Sequence, residues 1–439
     1  MFVQRCIKVE CGSEFDLDER LYVCARCGDL LDIERTQPPE RDAESLRVLW
    51  RERLQSSDAR DRSGVWRFRE FLPFDDDVAV ISLAEGNTPL YDAPRSADYC
   101  GLTALKLKHQ GNNPTGSFKD TGMTVAVTQA RRLGMRLVAC ASTGNTAASL
   151  AAYAARARML CAILVPDGQV SEAKLAQALD YGAKVLEIEG NFDSCMRVIQ
   201  ELAEQSSLYL VNSINPFRIE GQKTVAFELA EQLQWEVPDH LVVPGGNLGN
   251  SSAFGKGFRE LLGHGLTRKQ PRISVIQAEG AAPFARFFAE QGEAEFVAEK
   301  EPHTLASAIK IGAPVSWKKA WRAVRETHGR VITVSEQEIA DAKAMIGRDG
   351  IGCEPASATT VAGIRKLVND GFIRKDESVV AVLTGHLLKD TDYVIRYHAE
   401  TLTAPEPAGA RPLRGTFANS IIRVAPRPCA IESALKNLS

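Results

Sequence analysis

The chain has 439 residues, of which 44% are apolar and 25% are charged, and its formal net charge is −3. This length exceeds what one hydrophobic core usually needs, so two domains with appendages are expected. The near-balanced charge gives no reason to expect nucleic acid or an anionic membrane as a partner. No apolar run approaches the roughly 18 residues of a membrane span, so we expect a cytoplasmic protein.

Four of the ten cysteines lie close together near the start of the chain, at Cys6, Cys11, Cys24 and Cys27. The second pair has the spacing C-x2-C and is followed by glycine, which is typical of a zinc ribbon around one tetrahedral metal. The first pair is spaced C-x4-C, which is wider than usual. Two interpretations stay open: a structural zinc site, or a reduced hairpin without metal.

A charged stretch follows from residue 36 to residue 77. Its composition predicts a linker, an amphipathic helix and then an aromatic segment at residues 66–74. The next stretch, Ser82–Leu90, reads SLAEGNTPL and is expected to form a turn. In that turn Thr88 either contacts a ligand or has only a structural role.

The stretch Gly111–Met123 reads GNNPTGSFKDTGM, with Lys119 near its centre. Residues 104–108 before it predict a short β-strand, and residues 124–133 after it predict a helix. Because asparagine, proline and glycine interrupt regular structure, Lys119 is expected at a strand-to-helix turn. From this stretch alone, Lys119 is either a solvated charge or a functional amine.

Strand and helix signals alternate along the rest of the chain, which favours parallel sheets with helices on both faces. The predicted strands lie at residues 136–141, 160–165, 184–189, 208–211, 240–243, 272–277, 330–334 and 378–383. Helices are predicted at residues 147–157, 171–181 and 192–206. The pattern predicts an α/β fold with two lobes, and ligands between them at the carboxyl ends of the strands.

A second glycine-rich turn, Pro244–Lys256, reads PGGNLGNSSAFGK and lies between an apolar strand and another helix. Backbone N–H groups at such a turn suit a phosphate, and a lysine amine suits an aldehyde. Together with the turn at Lys119, this stretch predicts one ligand that carries both groups.

These stretches resemble a known family. NPTGSFKD, around Lys119, is similar to the pyridoxal-phosphate lysine motif of the threonine synthases. Further stretches resemble the same family in the same order: ASTGNTAA, NSINPFRIEGQKT, PGGNLGN, TLASAIKIGAPVSW and LTGHLLKD. The resemblance implies a two-lobed pyridoxal-phosphate fold of type II, similar to the tryptophan synthase β-subunit, with a small cysteine-containing ribbon at the N-terminus.

The resemblance also implies how the cofactor, pyridoxal 5′-phosphate, is held. Lys119 is expected to bond to the cofactor aldehyde and, once displaced by substrate, to move protons between carbon atoms. Asn145 is expected to contact the ring hydroxyl, and Thr384 the pyridine nitrogen. The cofactor phosphate is expected on one continuous loop, made of Gly245, Gly246, Asn247, Leu248, Gly249 and Asn250.

A substrate carboxylate is expected at the start of the helix predicted at residues 147–157. By resemblance, Ser142, Thr143 and Thr146 are expected to hold it, because hydroxyls and free N–H groups at a helix start suit an anion. The alternative is simple capping of that helix by Ser142 or Thr143.

A substrate phosphate needs a site of its own, which the resemblance assigns to Asn212 and Arg218. The planar, permanently charged guanidinium of Arg218 suits phosphate. The alternative is an ion pair of Arg218 with Glu220 or with a surface carboxylate.

The activity that the resemblance implies is a β,γ-replacement by a carbon–oxygen lyase that acts on phosphate esters. O-phospho-L-homoserine and water would give L-threonine and phosphate, in an enzyme expected to be a homodimer. One alternative is a cysteate synthase-like enzyme that acts on O-phosphoserine and sulfite, which Thr121 leaves open because many threonine synthases have arginine there. A hydro-lyase acting on serine or threonine and a non-catalytic binding protein are further alternatives.

Five segments are expected along the chain. They are a ribbon at residues 1–35, the first part of a large cofactor lobe at 36–115, a smaller lobe at 116–225, the main part of the large lobe at 226–400 and an extension at 401–439. Within the extension, the Pro- and Ala-rich part after residue 398 predicts a surface loop, and the final stretch predicts a strand and a short helix. This extension resembles that of the plant-like threonine synthases.

Overall fold

The computed structural model describes residues 1–167, 172–189, 192–205, 208–293, 295–406, 409–419 and 421–436. The strands are β1 (Phe2–Cys6), β2 (Glu14–Phe15), β3 (Leu31–Arg35), β4 (Leu90–Asp92), β5 (Lys106–His109), β6 (Leu137–Ala141), β7 (Leu160–Pro166), β8 (Lys184–Ile188), β9 (Leu208–Leu210), β10 (His240–Pro244), β11 (Arg272–Ala278), β12 (Val331–Val334), β13 (Val379–Leu383), β14 (Thr403–Glu406) and β15 (Gly409–Pro412). The helices are α1 (Ala43–Arg53), α2 (Pro94–Cys100), α3 (Lys119–Arg132), α4 (Asn145–Ala157), α5 (Glu172–Asp180), α6 (Phe192–Gln205), α7 (Pro216–Gln232), α8 (Gly249–Gly263), α9 (Pro283–Ala289), α10 (Trp317–Glu326), α11 (Glu336–Arg348), α12 (Pro355–Asn369), α13 (Thr391–His398) and α14 (Pro428–Lys436).

Two sheets built from parallel strands carry the fold. The larger has the strand order β12-β11-β10-β13-β5-β4, in which only the edge strand β4 runs antiparallel to its neighbour. The smaller has the order β8-β7-β6-β9 and is parallel throughout. The predicted α/β class is confirmed. Because parallel strands end at the same edge of a sheet, the loops that follow them converge there.

The central strands of the larger sheet are apolar along their whole length because helices cover both faces. Every residue of β10 and of β13 is buried. In the smaller sheet, β6 and β9 pack with α4 and α6 in two further apolar clusters. These layers hold the carboxyl ends of the strands in fixed positions.

Helices α3, α7 and α8 approach one another closely because glycines lie at their contacts. A Cβ atom on Gly221 in α7 would lie 1.9 Å from the carbonyl oxygen of Thr121 in α3. One on Gly257 in α8 would lie 2.6 Å from the carbonyl oxygen of Lys223 in α7. Only glycine fits at such contacts, and they seat α7 against α3, the helix that begins at Lys119.

Residues 1–35, called the ribbon from here on, fold as a three-stranded antiparallel sheet of order β2-β1-β3. The ribbon lies against the body of the protein through β3, whose residues Leu31, Asp32 and Ile33 are buried.

Most predicted strands and helices agree with the structure to within a few residues, but three local predictions are wrong. Helix α3 begins at Lys119 itself rather than at residue 124. The antiparallel pair β14–β15 occupies the part of the extension predicted as a loop. Between residues 421 and 436 the structure has α14 but not the predicted strand. Ser171 and Ser206, at the ends of two predicted helices, lie outside the described residues.

No helix within the described ranges is both long and apolar enough to cross a membrane.

Candidate active site

Five loops that follow parallel strands contain the predicted site residues. The loop after β5 leads to Lys119, and the loop after β6 contains Ser142. Asn212 follows β9, Gly245 follows β10, and Thr384 follows β13. Ligands in open α/β sheets bind at this edge, where the strands end.

The loop that precedes Lys119 is pinned to the end of β13 by backbone hydrogen bonds. The N–H of Phe118 donates to the carbonyl oxygen of Thr384 at 2.9 Å, and the N–H of His386 donates to Gly116 at the same distance. Two of the predicted cofactor contacts, Lys119 and Thr384, are therefore neighbours.

A buried carboxylate fixes the same loop from the other side. Asp120 accepts hydrogen bonds from the backbone N–H and hydroxyl of Thr115, at 2.7 and 2.6 Å, and from the hydroxyl of Ser149 in α4 at 2.6 Å. Burial raises the pKa of Asp120 to about 6. The sequence motif contains Asp120, but its role in bracing the loop was not predicted.

The amine of Lys119 is held in a form that is easily deprotonated. The side chain is half-buried, and its Nζ lies 4.1 Å from the centre of the Phe118 ring. Burial and then the positive charge of Arg218 lower the pKa of Lys119 to about 7, against a smaller opposing effect of Glu354. A neutral amine is the form that attacks an aldehyde and accepts protons.

The loop after β10 leaves a helix terminus open to an anion. Helix α8 begins after Leu248, which has a left-handed backbone with φ of 63°, and no side chain caps this end. Such a conformation in a non-glycine residue marks local strain, which is common at ligand sites. The N–H groups of the first turn point out of the helix, and the helix dipole favours a negative charge there.

Glycines and an unpartnered amide complete this loop. A Cβ on Gly245 would lie 2.7 Å from Val275, and one on Gly246 would lie 3.2 Å from the carbonyl oxygen of Ala308, so larger residues would displace the backbone. Asn250 is buried, and both polar atoms of its side chain are without a hydrogen-bond partner among the described residues. A buried amide in this condition is costly unless a ligand satisfies it.

A buried glutamate joins the two residues predicted to contact the cofactor ring. Glu354 accepts a hydrogen bond from the Asn145 amide at 2.9 Å and another from the Thr384 hydroxyl at 3.0 Å. Burial raises the pKa of Glu354. A Cβ on Gly385 would lie 2.3 Å from this carboxyl group, so glycine is needed there. Glu354 was missed in the sequence because it lies outside every motif identified there.

Helix α4 presents a second open N-terminus beside the lysine. It starts after Gly144, and no described side chain caps it. The hydroxyl of Ser142 accepts at 3.2 Å from the N–H of Gly144, which lies before the helix. The alternative of simple capping by Ser142 or Thr143 is therefore wrong. Ser142, Thr143 and Thr146 are half-buried at this helix start.

Arg218 is buried on the first turn of α7, which Asn215 caps. Its guanidinium donates to the carbonyl oxygen of Val211 at 3.4 Å, and its Nε has no hydrogen-bond partner in the part of the chain that the structure describes. The alternative ion pair with Glu220 is wrong, because Glu220 pairs with Lys223 and Lys256 instead. Across the described residues, no carboxylate lies within ion-pair distance of Arg218.

Asn212 has a different environment from Arg218. Its amide exchanges two hydrogen bonds with the backbone of Ala141, at 3.0 and 2.9 Å, and so ties the end of β6 to the residues after β9. Its role in substrate binding stays a prediction.

Thr88 has a structural role, because its N–H and its hydroxyl both donate to Glu228.

These residues fit pyridoxal phosphate by their own chemistry. The Lys119 amine, whose pKa is lowered to about 7, suits the aldehyde, and the uncapped glycine-rich start of α8 suits the phosphate. The unpartnered amide of Asn250 supplies a buried group that needs a ligand. Such a set matches the two ends of the cofactor.

Comparison with known proteins agrees with this assignment. Residues 81–385 match the family described as pyridoxal-phosphate dependent enzyme. The structure is similar to processed threonine deaminase isoform 2 from Solanum lycopersicum, with a TM-score of 0.60, 20% identity and coverage of 82% of this chain and 93% of that one. It is also similar to an L-serine ammonia-lyase from Rhizomucor miehei, with a TM-score of 0.62, 18% identity and coverage of 74% and 100%. Fold and site define a pyridoxal-phosphate enzyme of fold type II.

Sequence relatives narrow the family further. Threonine synthase of Methanocaldococcus jannaschii is 46% identical over 401 residues, which is 91% of this chain and 96% of that protein. The enzyme of Methanosarcina acetivorans is 47% identical over 90% and 94%, and that of Synechocystis is 44% identical over 78% and 87%. The chain belongs to the threonine synthase family, as the resemblance implied.

Proposed function

We propose that the enzyme converts O-phospho-L-homoserine and water into L-threonine and phosphate, as a carbon–oxygen lyase that acts on phosphate esters. The observation that carries this proposal is the environment of Arg218. Its guanidinium is buried, has no acidic partner among the described residues, and lowers the pKa of Lys119 by its positive charge. Leaving a charged group buried and unpaired is costly, so an anionic substrate group is the natural partner.

Two separate anion sites support a substrate that carries its own phosphate. One is the glycine loop at the start of α8, which we assign to the cofactor phosphate through Gly245, Gly246, Asn247, Leu248, Gly249 and Asn250. The other is Arg218 on α7, which we assign to the substrate phosphate with Asn212 as a neighbour. A hydro-lyase that acts on serine or threonine has no use for this second site.

In this proposal the open start of α4 holds the substrate carboxylate through Ser142, Thr143 and Thr146, which fixes the amino acid relative to Lys119. The cofactor supplies an electron sink when bound, with Asn145 and Thr384 beside its ring.

Once its amine is free, Lys119 would accept the α-proton of the substrate. With its pKa lowered to about 7, a large fraction of the amine is ready to accept that proton at neutral pH. A β-proton would be removed next, and Arg218 would bind the phosphate as it leaves from Cγ. Water would then add its hydroxyl at Cβ, and protons would be delivered to Cγ and back to Cα to give threonine.

The segments predicted from the sequence are part of the proposal. The larger sheet draws its strands from residues 90–109 and 240–383, and the smaller sheet draws its strands from residues 137–210. This supports an insertion of the smaller lobe between two parts of the cofactor lobe.

We also propose a cytoplasmic homodimer. None of the ten cysteines forms a disulfide in the described part of the chain, which supports a reducing compartment. Apolar side chains of the extension, among them Ile421 and Leu435, are 95% and 60% exposed, which supports burial against a second copy. Light scattering of the full chain, and of a chain that ends after residue 414, measures this: the full chain should give a dimer and the shorter one a monomer.

The decisive experiment is to mix the purified holoenzyme with O-phosphohomoserine and to measure released phosphate and the amino-acid product together. Phosphate and threonine in equal amounts, both lost in Lys119→Ala, are the expected result. O-phosphoserine with sulfite is the control substrate pair. Turnover of that pair in place of phosphohomoserine would contradict the substrate assignment while leaving the cofactor assignment intact.

A further inference from the structure

The four N-terminal cysteines come together in space although they are separated by up to twenty residues of chain. The Sγ atoms of Cys6 and Cys27 lie 3.4 Å apart, and those of Cys11 and Cys24 lie 3.7 Å apart. All four sulfur atoms lie within 4.8 Å of one another. We call these four residues the cysteine cluster.

This spacing is the spacing of thiolates around one tetrahedral ion. With Zn–S bonds of about 2.3 Å, neighbouring sulfur atoms of a tetrahedral site lie about 3.8 Å apart. Tetrahedral sites with four sulfur ligands select zinc or iron among the common metals, and zinc is the usual ion of ribbons.

Backbone geometry places the cysteines on two matching turns. Each pair is followed directly by a glycine with a left-handed backbone: Gly12, with φ of 56°, follows Cys11, and Gly28, with φ of 74°, follows Cys27. The N–H of Gly12 donates to Lys8 at 3.2 Å, which folds the longer C-x4-C spacing into a turn. The wider spacing therefore brings its two thiols to the same point as C-x2-C does.

The ribbon contacts strand β9 of the smaller sheet and helix α3. The N–H of Leu210 in β9 donates to the Tyr22 hydroxyl at 2.7 Å, and the Gln129 amide in α3 donates to the carbonyl oxygen of Leu17 at the same distance. Tyr22 is two residues before Cys24, and β9 is the strand that leads to Asn212.

The ribbon also joins the helices on the other side. Asp32 in β3 is buried and pairs with Lys256 in α8 at 3.0 Å and with Arg322 in α10 at 3.3 Å. Lys256 in turn pairs with Glu220 in α7, two residues beyond Arg218. The ribbon is thus connected to α8, whose start forms the glycine loop, and to α7.

We propose that the cysteine cluster binds one structural Zn²⁺, and that the metal-bound ribbon braces α7 and α8 at the cofactor cleft. A ribbon this small has little core of its own, so its fold depends on the metal. Without the ion, its contacts through Tyr22 and Asp32 lose their fixed geometry.

The first test is the metal content of the purified holoenzyme, measured by mass spectrometry for zinc and iron. We expect about one zinc per chain, lost in Cys24→Ser and kept in Cys429→Ser, an exposed cysteine outside the ribbon. If Cys24→Ser fails to fold, titration of the wild-type protein with a thiol-blocking reagent replaces it, and one zinc should be released per four thiols blocked.

The second test asks whether the zinc-bound ribbon stabilises the cofactor site, independently of whether zinc is bound. In the absence of added cofactor, Cys24→Ser should lose bound cofactor several-fold faster than Cys429→Ser, as followed by visible absorbance, and should unfold several degrees lower. Asp32→Asn should keep its zinc but share the faster cofactor loss.

Several results would overturn the proposal. Iron in place of zinc, no metal at all, disulfides within the cluster, or zinc retained by Cys24→Ser would each remove the zinc site. Loss of zinc with unchanged cofactor retention and thermal stability would remove the brace. None of these outcomes bears on the substrate, which the phosphate-release experiment tests by itself.

Discussion

Two buried cations on neighbouring helices, Arg218 on α7 and Lys256 on α8, have opposite surroundings. Lys256 donates to Asp32, to Glu220 and to the carbonyl oxygen of Ile33, and the two carboxylates raise its pKa above its usual range despite burial. Arg218 has no carboxylate partner among the described residues, and burial lowers its pKa to about 10.

The difference distinguishes a buried charge that stabilises the fold from a buried charge that is available to bind a ligand. Both cations bear the cost of leaving water, but the cost for Lys256 is offset within the protein. No carboxylate of the described residues offsets this cost for Arg218, so a bound anion has to do so. This is the property expected of a site for a substrate anion. Lys119 follows the pattern of Arg218, since its pKa is also lowered by burial. The predictions below test this contrast, from the largest expected effect to the smallest.

Lys119→Ala should lower kcat by at least about 10⁴-fold, because it removes both the covalent attachment of the cofactor and the group that moves protons. Phosphate release from O-phosphohomoserine measures the effect. The matched control is Lys106→Ala, which removes a partly exposed lysine on β5 that pairs with Asp92 at the surface and should keep wild-type activity. Substantial turnover by Lys119→Ala would refute the assignment of the lysine.

Lys256→Met should destabilise the protein by about 3 kcal/mol, because Asp32 and Glu220 lose a buried partner. The midpoint of urea unfolding measures this loss. Lys269→Met is the control: its pair with Asp239 is exposed at the surface, and its removal should cost less than about 0.5 kcal/mol. Equal effects of the two substitutions would contradict the structural role given to Lys256.

Arg218→Met should have the opposite profile. It removes a charge-assisted contact of about 1.5–3 kcal/mol with the substrate phosphate, so kcat/KM should fall about 10- to 150-fold. Stability should stay the same or rise, because an unpaired buried charge is removed. Steady-state kinetics and urea unfolding measure the two effects. If Arg218→Met markedly lowered stability and left kcat/KM normal, Arg218 would be a structural cation like Lys256, and the phosphate assignment would be wrong.

The uptake of pyridoxal phosphate by cofactor-free enzyme should depend on pH with a midpoint of about 7. Only the neutral Lys119 amine attacks the aldehyde, so the rate should be constant above the lowered pKa and fall about tenfold per pH unit below it. Visible absorbance follows the reaction. Nα-acetyl-lysine, reacted in parallel, corrects for ionisation of the cofactor. A midpoint near that of a free lysine would show that the amine is not desolvated.

Glu354→Gln should weaken cofactor binding about fivefold, near 1 kcal/mol, because the carboxylate that orients Asn145 and Thr384 becomes a neutral amide with one acceptor. Equilibrium titration with pyridoxal phosphate measures the change. The control is Glu326→Gln, an exposed residue that pairs with Arg259 on the surface. An unchanged affinity would limit Glu354 to a structural role.

Much of the fold could be predicted from the sequence because its cues are local. Apolar strands with flanking glycines predicted the βα alternation. Helix α7 was not predicted, although Asn215 caps it and Pro216 lies in its first turn, which is a local signal in the sequence. The start of α3 was predicted too late, because the motif residues before residue 124 resemble a turn. The strand pair β14–β15 was missed because its proline-rich sequence is typical of a loop.

The sequence by itself determined where the strands occur along the chain, that Lys119 lies at a strand-to-helix junction, and that a glycine loop precedes α8. Each of these features depends on neighbours within a few residues. Only the tertiary structure decided which charges are paired. Glu220 lies two residues from Arg218 yet faces Lys256, and Glu354 joins Asn145 and Thr384 across more than two hundred residues of chain. Pairing of this kind depends on which helix faces meet, and that is a property of the packed fold.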